Sequence, residues 1–332
     1  MARYWMITNR NVEKNGFGKE RSNKTTYWTA TQTPLTRFSN WTELKGGAPV
    51  FAQRLAAVAD KFKPLADEAA HADQKHVTLF VHGYNNDWSD AVSRYEQICD
   101  TMFSGQKGLG ECVLFTWPSN GRASDYLADR ADARESANAL ADVLSQLYDW
   151  LLTKQSEAAN DSSKACKAKV SLIAHSMGNY LLQKAAQAAW TRKNQPLLVS
   201  LINQCLMVAA DVDNDLFSSG ESTDKSDGDA LANLVYRITA LYSGLDDVLG
   251  VSAGLKHFGK RRLGRSGLDP TSAKPDNVWQ VDCTPFFDKD PKHSKPIHSG
   301  YFENPRTREL MREVLRGTDR GVLESRGVTR PN

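Results

Sequence analysis

KVSLIAHSMGNYLL, residues 169–182, decides how the rest of the chain is read. Residues 170–173 are an apolar run of the length of a buried strand, and beyond the turn the spacing becomes helical. Ala174 and Gly178, two positions either side of Ser176, are small enough to let the backbone fold sharply and push the hydroxyl clear of both flanking elements. A helix starting at Met177 would aim its first N–H groups and its positive dipole end at the same spot, where a negative oxygen is stabilised. The plainer alternative is a serine that caps a helix.

Outward from this stretch, bulk properties narrow the class. A chain of 332 residues with no marked linker is expected to form a single domain, with edge strands and a helix in residues 1–76, a core in 77–302 and a C-terminal helix and tail in 303–332. With 40% hydrophobic residues, 24% charged residues and a formal net charge of +3, there is no electrostatic case for nucleic acid. The basic run KHFGKRRLGR, residues 256–265, reads as a solvated helix end and loop. Cys99, Cys112, Cys166, Cys205 and Cys283 are odd in number and lack any C-x-x-C pair, as expected of reduced, mostly buried thiols in a cytosol. No stretch approaches the roughly 18 apolar residues that cross a bilayer, and MARYWMITNRNVEK has no signal-peptide core. The expectation is a cytoplasmic protein without integral membrane association; the sequence carries no signal of oligomeric state.

The remaining pattern alternates strands and helices. Residues 4–8 and 25–29 look like an opening pair of strands at a sheet edge, followed by a polar stretch (31–47) and a helical pattern over 50–62 ended by Pro64. VTLFV (77–81) is a continuous apolar run of the kind buried on both faces of a parallel sheet, and it enters His82-Gly83-Tyr84-Asn85-Asn86. A helix over 89–102, a strand over 112–116 closed by Trp117-Pro118, and an Ala-rich helix over 124–152 continue the rhythm. A polar loop (154–167), the strand before Ser176, a strand over 205–209 ending at Asp211 and an exposed polar loop (214–229) come next. Strand 236–242 then leads to Asp246, a helix spans 248–257, the last strand covers 278–283, and His298 precedes a terminal helix near Arg306.

AHSMG matches the G-x-S-x-G nucleophile elbow of α/β hydrolases with Ala174 in place of the first glycine. The fold class expected is α/β: a mostly parallel central sheet flanked by helices on both faces. Serine is a poor nucleophile unless a base within hydrogen-bond reach, itself oriented by a carboxylate, takes its proton. Ser176, Asp246 and His298 stand in the order this fold uses, each just after a strand or in the loop following the last one. Asp246 could instead be only a helix cap. Asp211, with Asp213 and Asp215 nearby, is the alternative acid. His257 in the basic run and His293 in DKDPKHSKP compete less well with His298. The oxyanion hole is expected from the backbone N–H of Met177 and that of Tyr84 or Asn85. His82, Gly83 and His175 are read as neighbours shaping the site, and Trp117 and Pro118 as an acyl-pocket wall or plain packing. No metal or cofactor is assigned, since no further histidine or carboxylate sits at ligand spacing beside His82 or His175.

The chain also resembles the bacterial α/β-hydrolase family designated DUF900. The matching stretches are VHGYNN (81–86), FTWPSNG (115–121) with DYLADRADARES after it, AHSMGNYLL (174–182), AADVDNDLF (209–217), LYSGLDDVLGVS (241–252), RLG (262–264) and HSGYF (298–302). The resemblance implies an α/β-hydrolase fold and a serine hydrolase, and says little about substrate. The expected activity is cleavage of a small-molecule carboxylic ester through an acyl-enzyme. Alternatives are an amidase, thioesterase or lipase using the same residues, the lipase disfavoured by the polar character of 214–229, and a non-catalytic binding module of the same fold.

Overall fold

The computed structural model describes residues 3–63, 73–120, 122–164, 167–193, 200, 202–218, 225–257, 259–287 and 297–329. They fall into two compact units, residues 1–171 and 172–332.

In the first unit, β1 (Tyr4–Glu13) and β2 (Gly16–Ala30) form an antiparallel hairpin, and β3 (Trp41–Glu43) pairs antiparallel with β2. β4 (Lys75–Val81) and β5 (Gly110–Thr116) pair in parallel, and β5 also runs parallel to β1, so the order is β3-β2-β1-β5-β4. The helices are α1 (Gly47–Ala59), α2 (Trp88–Ile98) and α3 (Tyr126–Asn160). Both faces are covered, which is why Phe80, Val81, Leu114 and Phe115 read as unbroken apolar runs and are fully buried. α2 starts where Asp87 and Asp90 exchange side-chain and backbone hydrogen bonds in a capping box. Gly110 (φ +117°) opens β5 with its Cα so close to His76 that a Cβ would lie 2.3 Å from the His76 carbonyl oxygen.

In the second unit, β6 (Ala168–His175), which enters from the first, is followed by α4 (Gly178–Lys193), β7 (Ile202–Val208), α5 (Lys225–Leu234) and β8 (Val235–Tyr242). Then come α6 (Asp247–Val251), α7 (Leu263–Ser266), β9 (Val278–Asp282) and four helices: α8 (Thr284–Phe287), α9 (Ile297–Gly300), α10 (Pro305–Arg316) and α11 (Arg320–Ser325). The order is β6-β7-β8-β9, with β7–β8 and β8–β9 parallel. The turns that carry Asp211 and Asp246 therefore both leave carboxyl ends of neighbouring strands, where such sheets place their ligands. Among the described residues, no helix is long and apolar enough to cross a membrane.

Several expectations need correction. β1 is not at an edge: it lies between β2 and β5, and the edge strand is β3, inside the stretch read as polar. Trp41 anchors that short strand by burying its ring and donating from Nε1 to the Leu35 carbonyl (2.7 Å). α3 runs eight residues past the expected end, to Asn160, through good helix formers and a Lys154–Glu157 ion pair (2.8 Å). The polar segment 214–229 ends in α5, whose Asp227 is buried against Lys184 (2.6 Å) and Gln183 (3.3 Å). The basic run is only partly solvated, because Arg262 is fully buried. Pro64, Gly121, Cys166 and His293 lie outside the described residues.

Candidate functional site

Ser176 sits in the two-residue turn between β6 and α4 with φ +53°, a left-handed conformation that costs a side-chain-bearing residue about 1–3 kcal/mol. The surrounding backbone over-determines it. Its N–H donates to the Val208 carbonyl (3.0 Å), and its own carbonyl accepts from the Asn179 N–H (3.0 Å), Asn179 Nδ2 (3.1 Å) and the Asp211 N–H (3.2 Å). Asn179 Nδ2 also donates to the Ala174 carbonyl (2.9 Å), so one side chain clasps both sides of the turn. Sequence reasoning missed Asn179; the signal was an amide in the first turn of the helix, directly after the elbow glycine Gly178. Met177, fully buried, places its N–H at the N-terminal end of α4, where the helix dipole is positive.

The hydroxyl of Ser176 is 2.8 Å from His298 Nε2, and His298 Nδ1 is 2.7 Å from Asp246 Oδ2. A carboxylate only accepts, so the ring proton belongs on Nδ1, leaving the Nε2 lone pair to accept from the serine hydroxyl. Asp246 is fully buried, and its other oxygen accepts the Leu249 N–H (3.0 Å) at the start of α6. It therefore caps the helix and orients the histidine at once; the two expected readings are not exclusive. His175 Nε2 donates to the His298 carbonyl (2.9 Å), and its ring stands 5.0 Å from that of His298 and 5.5 Å from that of Phe302. That contact holds the backbone of His298 in place.

Asp211 is not brought to His298. Its Oδ1 accepts from Arg262 Nε (2.9 Å) and Ser252 Oγ (3.0 Å), while Asp213 pairs with Arg262 and with Lys260 (3.0 Å). Asp247, the neighbour of Asp246, is solvent-exposed beside Arg265 (3.5 Å).

In the first unit, His82 is buried and stacks on Trp117 with centroids 5.3 Å apart and rings 4° from parallel. Its Nδ1 donates to the Gly83 carbonyl (2.8 Å), and its Nε2 faces Thr116 Oγ1 (3.0 Å) and the Trp117 N–H (3.2 Å). Burial, and then the charge of Arg10, push its pKa down to about 3, so the ring is neutral. Arg10, itself buried, donates to Thr116 Oγ1 (3.0 Å), the Gly18 carbonyl (3.1 Å) and the Asn86 carbonyl (3.0 Å); burial lowers its pKa to about 10. Trp117 returns a bond from Nε1 to the His82 carbonyl (3.0 Å), and it and Pro118 are buried. Tyr84 sets its ring edge-on to Tyr126 (5.3 Å). Asn85 (φ +58°), the alternative to Tyr84 among the expected oxyanion donors, directs its N–H at Asp129 Oδ2 (3.3 Å), a buried carboxylate that also accepts from Ser119 Oγ (2.5 Å) and the Asn120 N–H (2.9 Å). Among the described residues, no three His, Cys, Asp or Glu side chains are grouped to hold a metal ion.

Comparison with known proteins adds the following. A family model described as an alpha/beta hydrolase of unknown function (DUF900) matches residues 59–306. The uncharacterized protein alr1448 of Nostoc sp. (strain PCC 7120) is 30% identical over 129 residues, 32% of this chain and 30% of that protein. Among solved structures, Aspergillus fumigatus lipase B aligns with a TM-score of 0.42 at 13% identity, covering 81% of this chain and 59% of that one. A hyperthermophilic esterase from the archaeon Pyrobaculum calidifontis aligns with a TM-score of 0.33 at 12% identity, over 77% and 78% of the two chains. The chain thus spans less than a third of the Nostoc relative and about three-fifths of the lipase.

Proposed function

Because this chain belongs to the DUF900 family of α/β hydrolases, we propose that it is a serine hydrolase acting on carboxylic esters through an acyl-enzyme. The observation that carries the reading is the continuous line Ser176 Oγ, His298 Nε2, His298 Nδ1, Asp246 Oδ2, with both contacts under 3 Å and every member buried. Ser176 attacks the ester carbonyl while its proton passes to His298 Nε2, and the buried Asp246 carboxylate stabilises the imidazolium so formed. The carbonyl oxygen, now negative, is held by the Met177 N–H at the positive end of α4. Collapse of the tetrahedral intermediate breaks the C–O bond to the alcohol, which takes its proton from His298. Water, deprotonated by the same imidazole, then releases the acid and regenerates Ser176. Thioester and amide carbonyls present the same chemistry with a different leaving group. Among the described residues, Cys99, Cys112, Cys205 and Cys283 are free and buried, which supports a reducing compartment.

Turnover of p-nitrophenyl esters of graded acyl length tests the proposal. Wild type should release nitrophenol and Ser176→Ala should not. Asp246→Asn should lose about four orders of magnitude in kcat, since an amide in that place favours the wrong histidine tautomer. Equal turnover by wild type and Ser176→Ala would remove the serine from the mechanism.

A further inference from the structure

The carboxylate that does not reach His298 is connected to the site by another route. Arg262 is fully buried, and its three guanidinium nitrogens are all committed: Nε to Asp211 Oδ1 (2.9 Å), Nη2 to the Asp211 carbonyl and Nη1 to the Asp213 carboxylate. Ser252 Oγ adds a second donor to Asp211 Oδ1 (3.0 Å). Backbone bonds lace the same segment in place, from the Leu263 N–H to the Val212 carbonyl (2.9 Å), from the Gly264 N–H to the Ala210 carbonyl (2.9 Å) and from the Ser243 N–H to the Gly264 carbonyl (3.0 Å). A Cβ on Gly264 would lie 2.2 Å from the Ala209 carbonyl carbon, and Ala209 itself has φ +45°. The turn after β7 and the segment 262–264 are therefore packed backbone against backbone.

Two bonds lead from this assembly to the candidate catalytic groups. The Asp211 N–H donates to the carbonyl of Ser176 (3.2 Å), and Arg265 Nη1 donates to the carbonyl of Asp246. A fully desolvated Arg–Asp pair is not an economical source of stability, because well-packed apolar side chains of like volume often do as well or better. What such a pair supplies is fixed direction: a planar donor fork gripping one carboxylate and its own carbonyl sets the orientation of that peptide and hence of the Asp211 N–H.

We infer that Asp211 and Arg262 are a positioning pair for the nucleophile: they touch no substrate, and they hold the Ser176 peptide in its left-handed conformation so that Oγ faces His298. The inference rests on Ser176 being the nucleophile. It assigns Asp211 a purpose distinct from that of Asp246, although both are buried aspartates that follow neighbouring strands.

The test is the second-order rate of fluorophosphonate labelling across pH, measured on wild type, Asp211→Asn, Arg262→Met and Ser252→Ala at a temperature well below each variant's Tm and normalised to folded protein. Asp211→Asn and Arg262→Met should label roughly ten- to a hundredfold more slowly, the scale of a misplacement of about 1 Å. The midpoint of the pH profile should stay where it is in wild type, because the His298–Asp246 contact is intact. Ser252→Ala, which leaves the ion pair in place, should fold normally and label several-fold more slowly; it keeps the test decisive if the charge variants do not fold. Wild-type rates in the folded variants would reduce the pair to scaffolding and overturn the inference. A displaced pH midpoint in Asp211→Asn would overturn it too, by making Asp211 part of the proton relay. Failure of wild type itself to label would instead remove the serine-hydrolase reading, and the inference with it.

Discussion

Lowering the pH from 7.5 to 5.0 should cost the native protein about 2 kcal/mol through His82 alone. The ring is buried, its Nε2 faces an N–H donor, and the Arg10 charge is nearby, so its pKa falls from the ordinary 6.5 to about 3. In the unfolded chain the same ring takes up a proton below pH 6.5. The folded state cannot follow until far lower pH, so the stability contributed by His82 is complete above 6.5 and declines as the pH drops towards 3. At pH 5.0 the gap below the unfolded value is about one and a half units at 1.36 kcal/mol each, or about 2 kcal/mol. The assay is urea unfolding followed by tryptophan fluorescence at both pH values, on wild type and on His82→Gln, which keeps an acceptor where Nε2 stood. The variant is expected to be less stable at pH 7.5, having lost the stack on Trp117, but its loss between pH 7.5 and 5.0 should be smaller than that of wild type by about 2 kcal/mol. Parallel losses in the two proteins would refute the claim that His82 is held neutral.

Asp132 carries the opposite sign. Burial, and then the charges of Asp129 and Glu135, raise its pKa from 3.8 to about 6, so it costs the fold nothing below 3.8 and progressively more as the pH rises from 3.8 to about 6, above which the cost is complete. Asp132→Asn should raise Tm at pH 7.5 and confer no advantage near pH 3.5, as read by thermal denaturation. Gly264→Ala drives a methyl into the Ala209–Ala210 backbone and should cost about 1–3 kcal/mol in urea unfolding, together with a loss of ester turnover as the turn after β7 shifts; wild-type stability would show that the close packing there is not rigid.

Local signals made much of this legible in the sequence. AHSMG fixes the strand, turn and helix around Ser176 because small residues at two set positions leave few other backbones, and the apolar runs before His82 and Trp117 reveal strands buried on both faces. Asp246 and His298 are expected from their order after Ser176, from their places after the last strands and from the family stretches that hold them, and the structure brings the two side chains within 2.7 Å of each other. What escaped depends on contacts that sequence spacing does not encode. The three residues of β3 are too short to display alternation, and Trp41 marks them only through its tertiary contact with Leu35. Arg262 sits in a run of cations that looks solvated, yet it is buried because Asp211 and Asp213, fifty residues earlier, present carboxylates to it. The Asn85 N–H contact with Asp129 likewise joins residues 44 positions apart.

The central claim is that Ser176 is an activated nucleophile, and the most direct measurement is the site of fluorophosphonate attachment, by intact mass and peptide mapping of the folded protein. The account predicts a single adduct on Ser176, absent from Ser176→Ala and formed far more slowly in Asp246→Asn. A folded wild type that stays unmodified, or that carries its adduct on another residue, would contradict it.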